Sequence, residues 1–198
     1  MGDPVLSFTA VHNLSTCLIE ASTDLTRFAW NQPPTLLLVH DWPLITAATP
    51  RGLAMRSLEF PAHPGDMLDN PAGLPALLDR LAATLHSTPR VTPYHRTLDT
   101  IITRIREAAP DTRLMAWAAC YADVHTLDGE PRQVRRVDAV DTDGRLYQLT
   151  HLTGEEHPLV LVDDSPDPRD LPATYPGLVA LLAATACYAQ PASAEAKA

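Results

Sequence analysis

The chain has 198 residues, of which 45% are hydrophobic and 20% charged, and its formal net charge is −9 at pH 7. A chain of this length can bury a sizeable core, as one domain or as two small ones. The acidic balance argues against a general nucleic-acid binder and against an electrostatic membrane binder, because both need basic surface to meet phosphates.

Lysine is almost absent from the sequence. It occurs once, at Lys197, whereas proline occurs 19 times and alanine is abundant. This composition is typical of a GC-rich genome, such as that of a high-GC bacterium or its phages. Residues 190–198 are small and polar, and we predict a disordered tail there. Chemistry that depends on a Schiff-base, P-loop or general-base lysine is therefore not expected.

Three cysteines, Cys17, Cys120 and Cys187, are far apart and form no C-x-x-C motif. Such a set is typical of reduced thiols in a cytosolic protein. The N-terminus lacks the basic and apolar regions of a secretory signal, and no apolar stretch approaches the ~20 residues of a membrane span. We therefore predict a cytoplasmic protein that makes no membrane contact and holds no cofactor.

The N-terminal half is predicted to begin with a helix followed by strands. Apolar residues at three- and four-residue spacing predict a helix over residues 8–28. Two apolar runs, residues 36–39 and 53–60, predict buried strands on either side of the turn at Pro50-Arg51-Gly52.

Two helices with proline at their first turn follow these strands. Asn70-Pro71 is predicted to open one of them, since asparagine is a favoured N-cap and proline a favoured first helical residue. Its apolar stripe runs from Leu74 to Leu85. Residues 86–93 hold two prolines and are the predicted linker. Thr92-Pro93 is predicted to begin a further helix, which Pro110 ends.

The stretch from Leu114 to Asp163 is predicted to be a four-stranded antiparallel meander. In residues 114–122, strand alternation places Met115, Trp117 and Tyr121 on one face. A buried helix remains the alternative for this run, because alanine, leucine and methionine favour helix. An Asp-Gly pair at residues 143–144 predicts a hairpin between residues 133 and 152, and residues 159–162 form the fourth apolar run.

The last helix is predicted to begin at Pro176. Its first residues match the start of an earlier helix, which suggests an internal repeat of the chain. Gly73-Leu74-Pro75-Ala76-Leu77-Leu78 matches Gly177-Leu178-Val179-Ala180-Leu181-Leu182, about half the chain away. Residues 1–90 and 91–189 can each be written helix, strands, helix, which in outline resembles small α+β chaperone-like and adaptor folds. The alternatives are one continuous domain and a likeness of composition alone. We predict an α+β fold in which an antiparallel meander is flanked by about four helices.

One group of side chains is a candidate for acid–base or metal-assisted catalysis. It consists of His40 and Asp41, which follow an apolar strand, together with His63 and Asp66 in a Pro-Gly turn. Surface loop residues are the alternative interpretation. The sequence contains no nucleophile elbow, P-loop, dinucleotide fingerprint or zinc-ligand spacing.

Two further groups are candidate binding sites. Carboxylates that could hold Mg²⁺ or Ca²⁺, or dock on a basic partner, are Asp163, Asp164, Asp167 and Asp170. A solvated acidic loop is the alternative for them. Arginines that could contact phosphate or an acidic partner are Arg132, Arg135, Arg136 and Arg145. Cross-strand ion pairs with the interleaved aspartates are the alternative for these arginines.

These features favour a non-enzymatic protein that binds another protein or itself, in a regulatory, adaptor-like or chaperone-like role. The alternative is a small enzyme that uses the His/Asp group. A nucleic-acid-associated regulator that uses the arginine-rich hairpin is a weaker third hypothesis.

Overall fold

The computed structural model describes residues 6–26, 33–46, 49–62 and 73–190. These residues form an α+β fold, as predicted. Its four α-helices are α1 (Phe8–Thr26), α2 (Leu74–His86), α3 (Pro93–Ala108) and α4 (Tyr175–Ala184), and a 3-10 turn follows at Ala186–Tyr188. Its six strands are β1 (Thr35–Thr46), β2 (Thr49–Phe60), β3 (Leu114–Leu127), β4 (Glu130–Asp141), β5 (Leu146–Leu152) and β6 (Leu159–Asp163).

All six described strands form one antiparallel sheet in the order β2-β1-β3-β4-β5-β6. The four-stranded meander from β3 to β6 is confirmed, and the stretch from Leu114 to Ala122 is strand rather than helix. Strands of both halves join this sheet, because β1 pairs with β3. The internal repeat is not confirmed, and the division at residues 90 and 91 stays a prediction.

Helices cover both faces of the sheet, so the molecule has two cores. Helix α1 packs on one face, where Leu14 and Leu18 meet Ala118 and Tyr147. Helices α2, α3 and α4 pack on the other face around Trp117. The indole Nε1 of Trp117 donates a 3.0 Å hydrogen bond to Thr185 Oγ1, which satisfies its polar atom inside the core.

A β-bulge in β3 changes the predicted sorting of its side chains. Val39 pairs with Ala116 but His40 pairs with Leu114, so Met115 is the extra residue opposite β1. Met115 and Ala116 therefore both face α1, while Trp117 faces the other helices. The predicted common face of Met115 and Trp117 is wrong, because simple alternation does not continue through a bulge.

Asp-Gly pairs form both of the tight turns around β4. Gly144 has φ +82°, the left-handed region that favours glycine, and the predicted turn between β4 and β5 is confirmed. The turn between β3 and β4 has φ +52° at Asp128 and +83° at Gly129. Both values are positive, as a type I′ hairpin turn requires. This second Asp-Gly turn, at residues 128 and 129, was not predicted from the sequence.

The helix boundaries are partly as predicted. Thr92 caps α3, since its side chain accepts a hydrogen bond from the backbone N–H of His95, and the helix begins at Pro93. Helix α2 begins at Leu74 after Gly73, and the predicted start at Asn70-Pro71 lies outside the described residues. The predicted disordered tail also lies outside them from residue 191 onward. Among the described residues, no helix combines the length and apolar character needed to cross a bilayer.

Candidate functional site

A fully buried carboxylate, Asp141, organises the turn between β4 and β5. Its Oδ1 accepts hydrogen bonds from the backbone N–H of Asp143 (2.9 Å) and of Arg145 (3.0 Å). Its Oδ2 accepts a 2.8 Å bond from the hydroxyl of Tyr147. Burial raises the pKa of Asp141, although these hydrogen bonds and the Arg145 charge oppose the shift. Its hydrogen-bond capacity is used to hold the turn.

Arg145 connects this turn to the loop that follows β6. Its Nη1 lies 2.5 Å from Asp143 Oδ2, and its Nε donates a 2.6 Å hydrogen bond to Asp164 Oδ1. The Arg145 side chain is only 12% exposed. Arg145 therefore forms ion pairs with aspartates, which was the alternative to phosphate binding, and its guanidinium is already held between carboxylates.

A second buried carboxylate, Asp138, links β4 to the start of α4. Its Oδ2 accepts hydrogen bonds from the Tyr121 hydroxyl (2.6 Å) and the Thr174 hydroxyl (2.7 Å). Arg136 Nη2 donates a 3.2 Å bond to Asp138 Oδ1. Burial raises the pKa of Tyr121, and the neighbouring Asp138 charge acts in the same direction.

The structure does not bring the four predicted arginines together. Arg135 lies on the α1 face beside Cys120 and Leu25, whereas Arg136 lies on the opposite face with Asp138. Arg132 is exposed, two positions after the start of β4. With Arg145 held at the opposite end of β4, no single phosphate could meet all four.

The predicted acidic cluster is spread along a loop. Asp163 accepts a hydrogen bond from the Ser165 backbone N–H, Asp164 pairs with Arg145, and Asp167 accepts a bond from the Arg169 backbone N–H. Asp170 is exposed. Within the described part of the chain, no three His, Cys, Asp or Glu side chains converge closely enough to hold a metal ion.

Half of the predicted catalytic group is described. Asp41 is buried, and its carboxylate accepts bonds from the backbone N–H of Arg113 (2.6 Å) and from Arg113 Nε (2.8 Å). His40 is buried beside it, and its Nδ1 lies 2.8 Å from the Asp41 carbonyl oxygen. Burial lowers the pKa of His40. His63 and Asp66 lie outside the described residues.

A cavity of about 590 Å³ opens at one end of the sheet, next to the Asp141 turn. Its apolar walls include Leu114, Val140 and Leu182, and Arg113 and Asp143 also line it. Asp141 lines it as well, and all three charged side chains are engaged, Arg113 with Asp41 and both aspartates with Arg145. Among the described residues, the charged side chains that line the cavity are therefore all committed to contacts within the protein.

The last strand of the sheet exposes a run of large apolar side chains. Leu159 is 66% exposed, Val160 41% and Leu161 56%, and no described strand pairs with their outer side. We call these three residues and their free backbone the β6 edge. The strand was predicted from the sequence, but its exposure was not. The sequence shows that this strand is an apolar run without a charged residue. It does not show that the strand lies at the border of the sheet, because that depends on strand order.

A shallow groove of about 340 Å³ lies beside the β6 edge. Leu159 and Leu161 pair with Thr150 and Gln148 of β5 and share their face of the sheet. Side chains that also line the groove are His125, Arg136, Gln148 and Thr150.

No protein-family profile, curated protein or solved structure matches this chain.

Proposed function

We propose that this protein is a non-enzymatic binding protein that takes up an extended segment of a partner chain on its β6 edge. The observation that carries the proposal is the exposure of Leu159, Val160 and Leu161 on the outermost strand. Its role would be regulatory or adaptor-like. A cytoplasmic location in a bacterium with a GC-rich genome is part of the proposal, supported by the free thiols of Cys17, Cys120 and Cys187.

An uncovered edge strand presents backbone N–H and C=O groups that can pair with another strand. Proteins commonly protect such edges with charged side chains, proline or a covering element, because an unprotected apolar edge recruits other chains. Leu159, Val160, Leu161 and Val162 contain neither a charge nor proline. An edge of this kind suits strand addition, in which main-chain hydrogen bonds give affinity and alternating side chains give specificity.

The groove beside the edge can distinguish between segments. Alternate side chains of an added strand would point to the face that carries Leu159 and Leu161, next to the groove. The apolar side chains and the polar groups of Gln148 and Thr150 lie together there. A partner side chain with an apolar body and a polar tip would fit this mixed lining.

The enzyme hypothesis receives less support from the described residues. Both oxygens of Asp41 accept hydrogen bonds from Arg113, and His40 is buried against the main chain of the next residue. These contacts favour a structural role for the pair, which fixes the middle of β1 to Arg113, the residue before β3.

The test is a selection of binding peptides from a displayed random library, followed by affinity measurements on variants. We expect the double variant Leu159→Lys, Leu161→Lys to bind the selected peptides about tenfold or more weakly than the wild-type chain, because exposed edge lysines oppose strand pairing. Val91→Lys is the matched control, since Val91 is 63% exposed but lies between α2 and α3.

Hydrogen exchange locates the bound peptide independently of these substitutions. A peptide added to the edge should slow amide exchange in residues 159–163 and leave the loop around Val91 unchanged. Peptides that bind both variants as tightly as the wild-type chain, or that protect another part of the molecule, would rule out the β6 edge as the binding site.

A further inference from the structure

The β6 edge is apolar in its middle and acidic at both ends. Between residues 155 and 170 the chain has six carboxylates, one arginine, Arg169, and one histidine, His157. Glu155 and Glu156 precede the strand. Asp163 is its last residue, and Asp164, Asp167 and Asp170 lie in the loop that follows. A segment that lies along the strand must therefore pass a group of carboxylates at each end.

Little of this negative charge is neutralised by the chain itself. Among the described contacts, Arg145 pairs with Asp164, and Asp163 and Asp167 accept hydrogen bonds from backbone N–H groups. Backbone hydrogen bonds do not remove the charge of a carboxylate. Glu155 and Glu156 are exposed. The field at the two ends of the edge is consequently negative and open to solvent.

This charge distribution disfavours a second copy of the chain as the occupant. Antiparallel pairing of two β6 strands about Leu161 would bring the Asp163 end of each copy towards the Glu155 and Glu156 end of the other. Like charges placed across an interface oppose association, and each copy already has a net charge of −9.

We infer that the partner of the β6 edge is an extended segment with apolar residues in its centre and lysine or arginine at both ends. This inference rests on the proposed function and adds the chemistry of the partner to it. The apolar centre would cover Leu159 and Leu161, and the basic ends would face the two acidic groups. Their opposite charges also steer the segment towards the edge and fix its position along the strand.

The test uses three synthetic peptides that share one alternating apolar and polar core of about five residues, the length of β6. Their flanks carry two lysines, two glutamines or two glutamates at each end. With the full chain at low salt, we expect the lysine-flanked peptide to bind about tenfold more tightly than the glutamine-flanked one, and the glutamate-flanked one most weakly. The preference should shrink as salt is added.

Charge removal on the protein gives the matched comparison. Glu155→Gln with Glu156→Gln should reduce the preference for lysine flanks by several fold. Glu107→Gln with Asp111→Asn removes the same charge at the end of α3 and should leave the preference unchanged. If it reduces the preference equally, only net charge is involved and the inference is overturned.

The outcomes separate this inference from the proposed function. The wild-type chain could bind all three peptides equally, and the Leu159→Lys, Leu161→Lys variant none of them. This result would support the edge as a binding site and overturn the inference that its partner is basic. No binding of any peptide by the wild-type chain would overturn both. A dimer in sedimentation that the same variant dissociates would show that a second copy occupies the edge, which also overturns the inference.

Discussion

The two edges of the sheet differ in how they are protected. Strand β2 carries the exposed charged residues Arg56 and Glu59, and its Met55 and Phe60 are buried under helices on opposite faces. Strand β6 has no charged residue before Asp163 and leaves Leu159 and Leu161 more than half exposed. The described side chains of β2, residues 54–60, are protected mainly by packing and charge, although Leu58 is 39% exposed, whereas the β6 edge is available to a partner. The position of an apolar strand in the sheet, rather than its composition, decides whether it is core or surface.

The largest expected difference between the edges is in stability. Phe60 is buried in contact with Trp117 and Tyr94, with ring centroids 5.2 Å and 6.1 Å away. Phe60→Ala should lower the free energy of unfolding by about 3–5 kcal/mol, because it leaves a cavity in the core. Leu161→Ala should lower it by less than about 1 kcal/mol. Denaturant unfolding of both variants checks this, and similar losses would show that β6 is packed as firmly as β2.

Cysteine reactivity should show how well α1 covers the β2 edge. Cys17 of α1 is buried near Ser57 of β2, and burial raises the pKa of its thiol to about 11. Cys187 is exposed. Below pH 9 we expect Cys17 to be alkylated about 100-fold more slowly than Cys187, because the thiolate is the reactive form.

Peptide mapping by mass spectrometry separates the two rates of alkylation. In denaturant the rates should become similar, which controls for the intrinsic reactivity of each thiol. Comparable rates in the folded protein would mean that α1 does not shield β2.

Arg145 tests how the end of β6 is held. Arg145→Met removes the contacts to Asp143 and Asp164 and leaves the buried Asp141 without its cation. We expect a loss of about 2 kcal/mol in the free energy of unfolding near neutral pH. Arg104→Met is the control, since its 3.9 Å pair with Glu107 is exposed and should contribute less than about 0.5 kcal/mol.

The loss in the free energy of unfolding caused by Arg145→Met should depend on pH, because Asp141 titrates. Burial raises the folded-state pKa of Asp141, so its stabilising contribution is present at low pH and is lost as pH rises through the folded pKa. Removing Arg145 raises this pKa further. The difference in stability between the variant and the wild-type chain should thus be smaller near pH 4 than near pH 7.5. A constant difference in denaturation across this range would assign the effect to lost packing instead.

The smallest expected effect is in local opening. Among the described strands, residues 159–163 pair with β5 only, whereas residues 114–120 are buried and most of them pair on both sides. Amides of β6 should exchange at least about tenfold faster than those of β3. Equal protection in hydrogen exchange would place β6 in the same cooperative unit as the centre of the sheet.

Much of the local structure was predictable, because it depends on short-range chemistry. Gly144 and the cap at Thr92 specify a turn and a helix start through backbone conformation and side-chain hydrogen bonds. The sites were less predictable. Arg135 and Arg136 are adjacent in sequence but lie on opposite faces, since successive strand residues alternate. Sequence proximity therefore suggested a cluster that the strand geometry separates.

The sequence by itself determined the fold class and the approximate extent of most helices and strands, since apolar periodicity and turn residues act over a few positions. The tertiary structure alone decided that β1 lies beside β3, that Met115 bulges, that Asp138 and Asp141 are buried and that β6 is an edge. Each of these features depends on contacts between residues far apart in the chain. Such contacts are set by the packing of whole helices and strands, and a local sequence pattern does not predict which neighbour a strand will have.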